Sequence, residues 1–193
     1  DDVQLAADFL LIWFVGSAQG VDAVKEITGC GDEGFEQDTL ITAALGRATR
    51  VMDYAGALER RHAYVQRLAE FHDRYDLLLT PTLSTLQPKV GSFDQPRALE
   101  RGADVLLKLR IAGQLRRTPI MRTIIENNLR WCPFTQLANL TGRPAMSVPL
   151  HQTAAGLPVG MQFVAPLGEE GRLLRLAGQL EEVRPWSERL PAL

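Results

Sequence analysis

The groups able to do covalent chemistry in this chain are few and scattered. Its serines are Ser17, Ser84, Ser92, Ser147 and Ser187; its lysines are Lys25, Lys89 and Lys108; its cysteines are Cys30 and Cys132; its histidines are His62, His72 and His151. A hydroxyl or thiol is a poor nucleophile until a base stands beside it. Only His72 and Asp73 are adjacent, there is no Ser-Ser pair, and there is no Gly-x-Ser-x-Gly elbow. Cys132 has no histidine next to it, and His62 falls on or beside an apolar helical stripe, where a packed helix residue is expected. Two cysteines a hundred residues apart are too few for a disulfide scaffold or a cysteine-built zinc site. The glycine-rich stretch Gly29 to Gln37 lacks Gly-Lys-Ser/Thr and a preceding strand, so it predicts a loop and no phosphate cradle. No catalytic residue, metal cluster or cofactor motif is predicted from these groups.

Composition sets the frame around them. The chain has 193 residues, 46% apolar and 23% charged, which suits one generous globular domain. A net charge of -2 gives no support to a nucleic-acid partner or an anionic membrane surface. The apolar run Phe9 to Val15 follows Asp1, Asp2 and Asp8, the wrong flank for a secretory leader. The run is also well short of the ~20 apolar residues of a spanning helix. It predicts a buried helix over about 4–27, stopped at Gly29, and a cytoplasmic location by default.

The remaining elements follow from periodicity and punctuation. Ile41, Leu45, Ala48, Val51, Met52, Leu58, Val65, Leu68 and Phe71 keep helical spacing, with a break near Met52 and Asp53 as a possible cap. Asp76 to Thr80 is a short apolar run closed by Pro81, predicting a buried strand in a parallel sheet. Ligands gather beyond the carboxyl ends of such strands, which singles out Thr80-Pro81-Thr82; a plain strand stop is the alternative. A loop over 83–97 and helical spacing over 98–117 come next, starting at Leu99. Thr118-Pro119 opens a helix with Ile120, Ile124, Ile125 and Leu129, while Arg116, Arg117, Arg122 and Arg130 form a solvated face. A short helix stops at Gly142. Ala145 to Leu150 and Pro158 to Ala165 predict an antiparallel hairpin. A last helix begins near Glu169, presents Leu173, Leu174, Ala177 and Leu180, ends at Pro185, and leaves Trp186 to pin the tail. Strands between long helices give the α/β class. Three strands are few for this length, so the sheet is expected to be completed by chain outside this sequence.

Three segments carry a family likeness. Phe134 to Pro149 resembles the Asn-Leu-Thr-Gly-x-Pro-Ala-x-Ser-Val-Pro stretch of the amidase signature family of amide hydrolases. Gly156 to Val164 is similar to that family's Gly-Leu-Pro-Val-Gly-x-Gln strand, and Tyr75 to Thr82 to its Tyr-Asp-x-Leu-x-x-Pro-Thr turn. Order and spacing agree over about residues 38–183. The resemblance implies an α/β fold with helices packed on a partial mixed sheet, the C-terminal part of the amidase signature fold. It implies one C-terminal region over 1–193: helices to about 74, strand and pocket loops to about 97, helices to about 130, then hairpin and helix to about 183. The family hydrolyses amides through a Ser-Ser-Lys arrangement on a Gly-Gly-Ser-Ser-Gly-Gly-like stretch in its first half. Nothing like that stretch occurs here, so the expectation is a C-terminal fragment of an amidase, inactive alone, with a small amide as substrate of the complete enzyme.

By the same resemblance Thr80, Pro81 and Thr82 lie near the substrate pocket, joined by Trp131, Cys132, Thr135 and Gln136. For Trp131 and Cys132 plain packing is the alternative. Neither nucleic acid nor membrane is an expected partner, and a homodimer is open. The alternative function is a non-catalytic binding or dimerisation module of α/β class.

Overall fold

The computed structural model describes residues 2–92, 97–187 and 189. Of the loop expected over 83–97, residues 93–96 lie outside the described residues, as do the side chains of Leu99, Arg116, Arg117, Arg122, Ile124, Ile125 and Leu129. The chain forms two compact units: residues 1–60 with 89–129, and residues 61–88 with 130–193.

The first unit is helical. It contains α1 (Asp2–Thr28), α2 (Gln37–Arg47), the start of α3 (Val51–His72), α4 (Arg97–Lys108) and most of α5 (Pro119–Trp131). Helix α1 stops where expected: Gly29 takes φ +72°, which favours glycine, and its N–H donates to the Lys25 carbonyl at 2.8 Å. By length and composition α1 could cross a membrane. In the fold its Leu10 and Phe14 pack with Leu45 of α2, and its Ala18 and Val21 pack with Ala43. Asp8 on the same helix is buried and receives both Nε (2.9 Å) and Nη2 (2.6 Å) of Arg60. A forked guanidinium pair of this kind satisfies the buried carboxylate. The stripe expected to run through Val51 and Met52 does not hold there: both are 79% exposed, because the chain breaks between α2 and α3 at that point. His62, expected as a packed residue, is exposed on α3. The helix expected over 98–117 ends at Lys108; Arg110 then turns into the left-handed region (φ 57°) and a 3-10 turn covers Ala112–Arg117.

The second unit holds the sheet. Strand β1 (Leu78–Pro81) and β2 (Ala145–Gln152) flank β3 (Pro158–Val164), and both pairings are antiparallel. The expectation that β1 is a strand of a parallel sheet is therefore corrected. A continuous apolar run predicts burial on both faces, yet Leu79 is 53% exposed and β1 alternates between half-buried and exposed. The hairpin closes through Thr153–Leu157, where Gly156 takes φ +79°. Helix α6 (Thr135–Thr141) ends at Gly142 with φ +66°, as its position predicted. Helix α7 (Glu170–Val183) covers one sheet face: Val148, Phe163, Ala165 and Leu173 form a core, with Leu176, Ala177, Leu180 and Trp186 against it. Leu174, expected on that apolar face, is 72% exposed; Leu176 takes the packed position instead. An α/β arrangement of helices on a partial sheet is thus present.

Helices α1 and α2 meet closely at Gly46. A Cβ there would fall 2.0 Å from the Phe14 carbonyl oxygen. Helix propensity alone would favour alanine by about 1 kcal/mol; overpacking against backbone costs about 1–3 kcal/mol. Gly46→Ala is expected to lower the denaturation free energy by up to about 2 kcal/mol. Gly102→Ala, in α4 where no atom lies within 4 Å, is expected to raise it by about 0.5–1 kcal/mol. Urea titration of both variants checks the opposite signs.

Candidate substrate-pocket site

The sheet face turned away from α7 carries a row of polar side chains. Antiparallel register sets Thr80 of β1 and Ser147 of β2 on either side of Gln162 of β3. Residues opposite one another share a face, so all three project together. Gln162 is buried, and its Nε2 donates to Thr80 Oγ1 and to the Phe134 carbonyl, each at 3.3 Å. That second bond ties the sheet to the entry of α6. One step further, Thr82 donates its backbone N–H to the Gly160 carbonyl at 3.0 Å, and its Oγ1 stands 2.5 Å from Ser147 Oγ.

A cleft of about 580 Å³ opens on this face. Thr82, Ser147 and Gln162 line it from the sheet, and Thr135, Ala138 and Asn139 from α6. Thr135, Ala138, Asn139 and Gly142 are spaced three and four apart and so present one side of that helix. Arg143 and Glu170 add one charge of each sign. The volume falls in the range of small-molecule sites.

Of the seven residues singled out from sequence, the cleft lining includes Thr82 and Thr135. Thr80 lies in the polar row beneath it through Gln162, and Pro81 is exposed at the end of β1. Trp131 and Cys132 are half-buried at the end of α5; the Trp131 carbonyl accepts the Ser84 N–H at 3.2 Å, which anchors the segment after Thr82. Gln136 is 1% exposed, and neither amide atom has a hydrogen-bond partner among the described residues. Ser147, Gln162 and Asn139 were not singled out. The alternation of polar and apolar positions along the two hairpin strands carried the signal for Ser147 and Gln162, once the strand register is known.

The nucleophile candidates take other roles. Ser84 Oγ donates to the Arg130 carbonyl, and Ser147 pairs with a threonine. Among the described residues no serine hydroxyl bonds a lysine, a histidine or another serine, and no cluster of three metal-ligating side chains occurs. His72 turns Nδ1 to the Tyr75 carbonyl at 3.1 Å, closing the end of α3. Lys25 of α1 donates to Asp32 in the glycine-rich loop and holds its carboxyl below the ordinary value. That pair is exposed and contributes little to stability.

The sequence model of the family described as Amidase matches residues 29–174. The protein named "Putative amidase AmiC" of Mycobacterium leprae is 34% identical over 182 residues, covering 93% of this chain and 34% of that protein. The 6-aminohexanoate-cyclic-dimer hydrolase of a Pseudomonas species is 28% identical over 195 residues, covering 100% of this chain and 36% of its own. Among solved structures, a 6-aminohexanoate cyclic dimer hydrolase complexed with substrate superposes with a TM-score of 0.71 at 24% identity, over 94% of this chain and 35% of that one. A bacterial aryl acylamidase superposes at 0.64 and 18%, over 98% and 35%. The chain thus spans about a third of the length of the relatives it matches.

A buried amide left unpaired costs about 1–3 kcal/mol, whereas an apolar side chain of similar length does not. Gln136→Met is therefore expected to raise the unfolding free energy of this chain by about 1 kcal/mol. Thermal and urea denaturation check it; a fall in stability would mean that the amide has a partner.

Proposed function

This chain belongs to the amidase family, and from that premise we propose that it supplies one wall of the substrate cleft of an amide hydrolase whose nucleophile is carried elsewhere in the complete protein. The observation that carries this is the cleft itself: a cavity of ligand size, floored by hydroxyl and amide groups, in a chain with no activated nucleophile among its described residues. Amide hydrolysis needs a hydroxyl activated by a base and preset donors for the developing oxyanion. The family resemblance assigns those tasks to a Ser-Ser-Lys arrangement and a glycine-rich stretch, neither of which occurs in this sequence. Matching about a third of each relative's length is consistent with that division of labour.

In this proposal Thr82 and Thr135 touch the bound amide. Thr80 and Pro81 hold the end of β1 in place, Trp131 shapes the approach by anchoring the segment that follows Thr82, and Cys132 lines the approach from beside the start of α6. Gln136 supports α6 from beneath. The substrate is an uncharged amide, the class to which the name of the cyclic-dimer hydrolase also points.

The purified 193-residue chain is expected to hydrolyse hexanamide and an anilide no faster than buffer does, while the complete protein turns both over. In the complete protein Thr135→Ala is expected to raise KM about 3–10-fold, the loss of one hydrogen bond, with the melting temperature little changed. Turnover by the isolated chain that is lost when one of its own serines is changed would overturn the proposal.

A further inference from the structure

Gly160 occupies the middle of β3, where a glycine is unexpected. It costs strand stability, and its φ is not in the region that requires glycine. The constraint is space. A Cβ at Gly160 would come within 2.6 Å of Ser147 Oγ and 2.8 Å of Thr82 Oγ1. The two hydroxyls lean together across the gap that the missing side chain leaves, and both line the cleft.

We propose that the Thr82–Ser147 hydroxyl pair, kept in place by the absence of a side chain at Gly160, is a carboxamide-binding subsite. This rests on the cleft being the amide cleft and adds the group that recognises the ligand. A hydroxyl carries one donor hydrogen and two acceptor lone pairs. When one of the pair donates to the other, the second hydroxyl keeps a free hydrogen, and lone pairs remain on both oxygens. Neither has a further partner among the described residues. The pair thus presents a donor and an acceptor side by side, matching the carbonyl oxygen and the N–H of a carboxamide. A carboxylate offers only acceptors, so half of that match is lost. The charges in the lining do not restore it: Arg143 and Glu170 are opposite in sign, and one guanidinium nitrogen of Arg143 already faces the Val65 carbonyl at 3.4 Å. The polar row fixes the pair from below, since Gln162 sits opposite both Thr80 and Ser147 and is bonded to Thr80.

Two measurements test the assignment. The first titrates the isotope-labelled 193-residue chain with hexanamide and, separately, hexanoate, following backbone amide resonances. Hexanamide is expected to shift Thr82, Ser147 and Gly160, and hexanoate to shift them several-fold less. Absence of shifts, equal shifts for the two ligands, or shifts confined to another surface would overturn the subsite. The second uses the complete protein. Ser147→Ala and Thr82→Val should each raise KM for hexanamide about 5–10-fold, the loss of one hydrogen bond, and leave kcat within two-fold. Gly160→Ala should match them by displacing both hydroxyls. Melting curves of all three separate this from loss of fold, and Ser147→Thr, which keeps the hydroxyl, should restore most of the affinity. An active complete protein whose KM ignores all three changes would sink the subsite and leave the amidase proposal standing. A chain that binds hexanamide at the pair, in a complete protein that hydrolyses no amide, would do the reverse.

Discussion

The second unit depends on strand β3 being paired on both sides. Its hydrogen-bonded register with β1 and with β2 sets Thr80, Gln162 and Ser147 in one line and Leu79, Phe163 and Met146 in the next. Side chains alternate strictly along a strand, so Phe163 and Met146 turn towards α7 while Thr80, Gln162 and Ser147 turn to the other face beside Leu78, Val164 and Ala145. Phe163, Val148 and Leu173 bury the first face, and that burial is what makes the second available for recognition. The packing and the polar row are two outcomes of a single pairing.

The first unit depends on a different constraint, the close approach of two helix backbones. Gly46 lets α2 lie against the Phe14 peptide of α1, and the small side chains Ala18 and Ala43 continue that contact. Larger groups, Leu10, Phe14 and Leu45, pack at the next level. The bidentate bond from Arg60, with Gln4 Nε2 donating at 3.0 Å, lets α1 keep the buried carboxylate of Asp8. The long apolar helix α1 packs Leu10, Phe14, Ala18 and Val21 against α2, while Trp13, Val24 and Ile27 stay exposed.

Much of this was legible from residues alone, wherever one residue type dictates a local backbone state. Gly29 and Gly142 stop helices because each takes positive φ, and Pro119 opens α5 because its ring suits a first helical turn. The hairpin was legible from two short strands and a polar link. What failed depends on partners. The direction of β1 is set by β3, eighty residues away, and no property of Leu77-Leu78-Leu79 encodes it. The exposure of His62 and Leu174 depends on which helix face meets a neighbour, and spacing of three and four admits either of two adjacent positions. The cleft was half legible: the family-like turn drew attention to Thr82, while Ser147 stayed hidden as a strand residue until the register aligned the two. Gln162 stayed hidden for the same reason.

The step in the β2–β3 ladder has a bearing on how the hairpin can change. Pairs run in one register from Ala145–Val164 to Val148–Met161, then resume as His151–Val159, so Pro149 and Leu150 together face the single residue Gly160. Such a bulge is an anchor: sliding the strands by one position would turn every side chain of β2 to the opposite face and move the doubled segment away from Gly160. The alignment of the sheet is therefore pinned midway along the strands, not only at their connecting tip. Loop grafts or length variants at the exposed tip between His151 and Leu157 become a tolerant site for engineering, since the geometry of the opposite end is held by an internal lock.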